Sequence, residues 1–193
     1  MSSNPESRYI RNIDAKSSPS PKVSEALAKS AEKVVIDCLN ENLRSMNIGV
    51  RPATPTEDSG ITHEGGKQID AVLVEGTSKK PIMCMQITTA RDPSVQIKKV
   101  KQLAEKPFVR LEEMDLANYP TSIPKVVVGL NPAEIESFLN DPYFAKHPQI
   151  WEKIKSDITK SLLFVLNMTK NEKEKTKARE VLALFTNNAT TSH

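Results

Sequence analysis

Asp70, Gln86 and Thr88 are the residues of this sequence whose types and spacing most invite chemistry. They fall in KQIDAVLVEGTSKKPIMCMQITTA, residues 67–90, two apolar runs divided by Gly76-Thr77-Ser78-Lys79-Lys80. On a strand, alternate side chains share a face, so Gln86 and Thr88 stand with Cys84, and Met83, Met85, Ile87 and Thr89 stand on the other side. If the two runs pair as a hairpin, Asp70 comes near Gln86 and Thr88, because all three lie at the ends away from the turn. A carboxylate and a carboxamide oxygen converging there suit a hard divalent cation, which prefers oxygen ligands. Spacing alone favours a plainer arrangement and leaves both open. In it, Asp70 caps a strand end while Gln86 and Thr88 satisfy backbone groups of a half-buried sheet.

The elements that must position these residues follow from periodicity and turn chemistry. Leu27, Ala31, Val34, Val35, Cys38, Leu39 and Met46 recur at helical spacing, predicting a helix from Lys22 to Asn47 with Ser24 as its N-cap. A short strand is expected at Ile48–Pro52, then a loop, ATPTEDSGITHEGG. The hairpin strands are predicted at Gln68–Glu75 and Pro81–Thr89. Asp92-Pro93 has the chemistry of a helix start, and Ile97, Val100, Leu103 and Ala104 give that helix an apolar face up to about Lys106. Its Lys98, Lys99 and Lys101 are expected to look outward. IPKVVVGL, residues 123–130, reads as a compact buried strand. Three further helices are predicted from Asn131-Pro132 to Asn140, from Pro148 to Met168, and from Lys170 to Phe185. The implied order is an α/β arrangement, a mixed central sheet with helices packed on it.

Composition narrows the function classes. Lysine and arginine total 27 against 24 acidic residues, a formal charge of +3, so a nucleic-acid partner would have to meet a local basic face. No apolar run approaches the roughly 18 to 20 residues that a membrane span needs. The first 22 residues, MSSNPESRYIRNIDAKSSPSPK, lack the apolar middle of a secretory signal. Cys38 and Cys84 both sit in apolar-periodic segments, which predicts buried free thiols, a reducing compartment and a cytoplasmic or nuclear location. With three scattered histidines and no paired cysteines, no zinc site is expected.

The order helix, hairpin, helix, strand resembles the core of the PD-(D/E)XK nuclease superfamily, the restriction-endonuclease-like fold. In that core an Asp stands on one hairpin strand and a Glu/Gln-x-Lys-like tripeptide on the next. The resemblance covers roughly residues 22–130. CMQITTARDPSVQIKKVKQL further resembles the Gln-x-Thr and helix of nuclease-like domains in Crinkler and retrotransposon hot spot proteins. The organisation this implies is an N-terminal arm at 1–21, the nuclease-like core at 22–130, C-terminal helices packed on it at 131–186, and a tail at 187–193.

By this resemblance Asp70 matches the metal-binding aspartate, Gln86 the Glu/Gln position, and Thr88 the position usually held by lysine. Glu32 matches the carboxylate many members place on the first helix. The implied cofactor is Mg²⁺ or Mn²⁺, held by Glu32, Asp70 and Gln86, and the implied activity is phosphodiester hydrolysis of DNA or RNA. Gln86 brings a neutral oxygen where a negative one is usual, and Thr88 brings no cation. Losing one preorganised electrostatic contact costs about 10² to 10³ in rate. Some members take the lysine from the following helix, which makes Lys98 or Lys101 the candidate substitutes against the plainer use as a solvated helix face, and Arg91, Lys98, Lys99 and Lys101 are candidate phosphate contacts. A core that keeps the fold and binds nucleic acid or a protein without cutting is the alternative.

Other candidates carry less. Glu75 sits at the turn end of its strand. His63-Glu64 precedes the strand in a loop, and His147 precedes Pro148, where capping is the simpler use. Cys84 shares a face with Gln86, but apolar surroundings would raise its pKa, which disfavours a nucleophile.

Overall fold

The computed structural model describes residues 21–55, 57, 69–89, 92–110, 122–133, 135 and 148–186, and among them the alternating and helical periodicities become a five-stranded mixed sheet with four helices of 13 residues or more. The first helix, α1 (Pro21–Leu43), buries Ala31, Val34, Val35, Cys38, Leu39 and Leu43, the predicted stripe extended by one turn. It starts three residues before the expected cap Ser24, at Pro21, whose fixed φ is already helical and whose missing N–H would have no partner in the first turn. A 3₁₀ turn at Arg44–Met46 ends on Asn47 in the left-handed conformation, φ 56°, with its N–H on Arg44 O.

Strand β1 (Ile48–Pro52) pairs antiparallel with β2 (Ala71–Glu75), which pairs antiparallel with β3 (Pro81–Thr88). Asn40 of α1 locks β1 in place: its Oδ1 accepts Val50 N–H at 2.7 Å and its Nδ2 donates to Val50 O at 3.0 Å. The hairpin turn approaches the end of α1 closely. Gly76 N–H donates to Asn47 O at 2.7 Å, and a Cβ on Gly76 would stand 2.8 Å from that same oxygen, so only glycine fits.

From β3 the chain crosses through α2 (Pro93–Glu105) to β5 (Ser122–Gly129), parallel to β3. Asp92 caps α2 as expected, its carboxylate accepting Ser94 N–H at 2.8 Å. A strand the sequence reading did not foresee, β4 (Phe108–Arg110), pairs antiparallel with residues 122–124 and closes the order β1-β2-β3-β5-β4. Pro132, Ala133 and Ile135 are helical, and the rest of the helix expected up to Asn140 lies outside the described residues, as do 1–20, 187–193, His63, Glu64, Arg91 and His147.

The sheet has two apolar faces. Ala71, Leu73, Met83, Met85, Val126 and Val128 join α1 and the C-terminal helices in the main core. Those helices are α3 (Pro148–Met168), burying Ile150, Ile154, Ile158, Leu162 and Val165, and α4 (Glu172–Thr186), burying Ala178, Val181 and Phe185. The opposite face holds a smaller cluster of Ile69, Val72, Val74, Cys84, Val109 and Ile123. Both cysteines are buried free thiols, and burial pushes the Cys38 thiol up to about 12, with Asn42 opposing by a hydrogen bond. Among the described residues, no helix is long and apolar enough to cross a membrane.

Helix α3 also completes the sheet. Where β4 ends, the outer edge of β5 would expose backbone groups. Ser161 Oγ accepts Val127 N–H at 3.1 Å and donates to Val127 O at 3.2 Å, and Asp157 Oδ2 accepts Gly129 N–H at 3.0 Å. Helical side chains therefore stand where a sixth strand would pair.

Candidate functional site

Three polar bonds fix Asp70 at the entry to β2. Its N–H donates to Met85 O at 2.9 Å, its carbonyl accepts from Ala53 N at 3.0 Å, and its Oδ2 accepts Ile87 N–H at 2.6 Å. The register pairs Ala71 with Met85, so Asp70, one residue earlier, lies opposite Gln86. The carboxylate is turned to the Gln86–Ile87 peptide, and one of its oxygens takes the N–H that the ladder leaves over. Asp70 therefore caps the strand end, one of the two arrangements left open by the spacing, and in the register it lies opposite Gln86.

Gln86 is buried, 3% exposed, and its Oε1 accepts no hydrogen bond among the described residues. Alternation along β3 sets Gln86 on the face of Cys84 and Thr88. On the neighbouring strand Lys125 stands beside Cys84 in the parallel register, also 3% exposed. Burial pushes the Lys125 ammonium below its usual pKa; Cys84 and the Asp70 carboxylate oppose this, and Lys99 and Lys106 add to it.

Helix α2 supplies a second cation. Lys99 is half-buried, with burial pushing its pKa down, the Asp70 carboxylate opposing and Lys98 adding to the fall. Lys98 and Lys101, the expected substitutes for the missing strand lysine, are exposed. The reason is helical phase: Leu103 is the buried anchor of α2, and Lys99, four residues earlier, lies on its side of the helix. Lys99, expected to look outward, instead faces the site.

The candidates thus divide. Asp70, Gln86 and Lys99 come together with Lys125, while Thr88 stands further along β3, its carbonyl accepting Leu130 N–H at 3.0 Å. Glu32 is half-buried on α1, the helix that covers the opposite sheet face. Lys125 was missed by the sequence reading. Its signal was present, since one lysine inside IPKVVVGL is a charge in a run that otherwise reads as fully buried.

A hard ion implied by the resemblance would rest here on oxygen donors of the right type, the Asp70 carboxylate and the Gln86 carboxamide. Among the described residues, no group of three His, Cys, Asp or Glu side chains converges as metal ligands. The local charge is one carboxylate against the Lys99 and Lys125 ammoniums, an arrangement suited to a phosphate as well as to a cation. Compared with protein-family models, curated proteins and solved structures, the chain matches none.

Proposed function

We propose that this chain is a restriction-endonuclease-like domain that engages the phosphodiester backbone of DNA or RNA and cleaves it with a divalent cation. The carrying observation is the meeting of Asp70, opposite Gln86, with the inward-facing Lys99 at the ends of β2 and β3. The strand order supports the same reading: an antiparallel three-strand meander, a helical crossover and a parallel strand follow the order the resemblance implies.

In this reading Asp70 and Gln86 would hold the ion, while Glu32, the third ligand the resemblance implies, stands half-buried on the helix that covers the opposite sheet face. When bound, Mg²⁺ or Mn²⁺ supplies polarisation of the scissile phosphate and a water of lowered pKa. Lys99 supplies the positive charge that Thr88 lacks, steering a phosphate to the Asp70–Gln86 pair and stabilising charge as it develops. Ile87 N–H fixes the Asp70 carboxylate, so the ligand is oriented before a substrate arrives.

A second reading, a module that binds nucleic acid or a protein without cutting, is favoured by the commitment of Asp70 Oδ2 to Ile87 N–H and by the neutral Gln86 and Thr88. One assay separates the two. Wild type and Asp70→Ala are incubated with mixed DNA and RNA substrates and Mg²⁺ or Mn²⁺, and binding is measured in parallel over a salt series. Cleavage by the wild type that Asp70→Ala abolishes supports the enzyme. Salt-sensitive binding without cleavage supports the module, and equal cleavage by both proteins places the activity elsewhere.

A further inference from the structure

A groove of about 580 Å³ lies between α2, the end of β5 and α3, over a floor of Leu103, Val127 and Phe164. Its apolar surface does not stop at the mouth. Steps of three and four residues carry one face of α2 outward from Leu103, 3% exposed, through Val100 at 49% and Ile97 at 55%, to the exposed Lys101. On the opposite wall α3 presents the exposed Lys160. Neither Lys101 nor Lys160 makes an ion pair among the described residues. Lys99 is set against Asp70 and does not count toward the charge of this surface. Asp157, the carboxylate among the lining residues, takes Lys153 at 2.6 Å and Gly129 N–H at 3.0 Å. Asp92 is committed to the cap of α2, and Glu105 stands one turn beyond Lys101 on its outward side.

The surface is thus an apolar trough with one uncommitted cation on each wall. Two large aliphatic side chains left about half exposed on adjacent turns mark a contact surface. A second copy of this face does not fit it, because two α2 helices would set Lys98 and Lys101 against the same lysines. A nucleic-acid backbone carries a charge at every nucleotide and is met by a run of cations, whereas Lys101 and Lys160 stand apart across apolar carbon. A helix with an apolar stripe and acidic residues along both of its edges matches each layer in turn. The 13 residues of α2 span about 20 Å, room for three to four turns of such a helix. We infer that the groove between α2 and α3 docks an amphipathic helix of a partner protein, its apolar stripe flanked by acidic residues. This goes beyond the nuclease reading and does not depend on it.

The test is fluorescence anisotropy with two labelled synthetic helices of about five turns. Both carry leucines at i, i+3, i+4 and i+7 spacing; glutamates flank the stripe in one and lysines in the other. Each is titrated with the wild type, Val100→Glu, the double variant Lys101→Glu/Lys160→Glu and, as a control outside the groove, Lys170→Glu. Val100, Lys101, Lys160 and Lys170 are exposed, so these changes leave the core intact. The wild type is expected to bind the glutamate-flanked helix more tightly than the lysine-flanked one. Val100→Glu should weaken that binding about tenfold, by setting a charge against the apolar stripe. The double variant should reverse the preference, each exchanged contact changing affinity about two- to fivefold. Lys170→Glu should alter neither the affinity nor the preference. No binding of either helix, equal affinity for both, a glutamate-flanked helix held as tightly by Val100→Glu, or a preference that survives the double exchange overturns the proposal. Self-association of the wild type that Val100→Glu abolishes would give the groove to a second copy and overturn it too, as would binding of single-stranded DNA or RNA that Val100→Glu abolishes.

Discussion

Asp70 carries two duties that substitution can separate. Its carboxylate satisfies Ile87 N–H and supplies the negative charge at the hairpin's open end. Asp70→Ala leaves a half-buried donor without its acceptor and is expected to cost about 1–3 kcal/mol in urea unfolding. Asp70→Asn keeps an acceptor oxygen, so most of that stability should return while cleavage stays absent. Activity in Asp70→Asn equal to wild type would remove Asp70 from the chemistry. Lys125 makes a different prediction. Its folded pKa lies below the unfolded value of about 10.4, so between the two the unfolded chain binds more protons, and the lysine's contribution to stability rises with pH. Lys125→Met removes a buried charge and is expected to stabilise the protein at neutral pH by on the order of 1 kcal/mol. That advantage should shrink as pH climbs toward 10.4; an advantage that grew with pH would mean that Lys125 is held charged. Asp70 and Gln86 were legible because strand alternation is local. The inward turn of Lys99 was not, because it depends on which residue of α2 the core anchors.

At the scale of elements, the hairpin and the β3–α2–β5 crossover follow from turn residues, caps and period. The edge of β5 follows from none of these. Ser161 and Asp157 belong to a helix whose sequence reads as an ordinary amphipathic one, yet their side chains close the sheet from 34 and 28 residues away by bonding Val127 and Gly129. Ser161→Ala deletes a single oxygen atom and removes both bonds to Val127. It is expected to cost about 1–3 kcal/mol and to raise amide exchange at Val127 before other β5 amides. Uniform exchange along β5 would mean that helix packing, and not the hydroxyl, secures this edge. β4 was missed for a related reason. Three residues are too few to show a period, and Phe108–Arg110 become a strand only because residues 122–124 offer a partner.

For the whole molecule, acid stability rests on an ion pair at the far end of the sheet from the hairpin turn. Arg51 grips Glu57 with both nitrogens, at 2.6 and 2.9 Å, and Thr54 N–H adds a third bond at 2.8 Å. Burial pushes the Glu57 carboxyl up, but the hydrogen bonds from Arg51 and Thr54 outweigh it and hold the pKa below the usual range. The stability this supplies is present above the unfolded value of about 4.3 and is lost as pH falls toward the folded one. Glu57→Ala is expected to cost on the order of 2 kcal/mol at pH 7, less than at a fully enclosed pair because Arg51 keeps 36% exposure. Thermal unfolding from pH 7 to 3 checks this: the gap between wild type and variant should close in acid, and a constant gap would assign the loss to packing. By itself the sequence determined the element order apart from β4, the hairpin, the buried stripes of α1 and α3 and the nearness of Asp70 to Gln86, since each follows from periods, caps and turns within short stretches. Tertiary structure alone decided that Lys125 is buried beside Cys84, that Lys99 and not Lys98 or Lys101 faces Asp70, and that α3 closes the sheet edge and walls a groove, because burial and charge proximity belong to the packed whole.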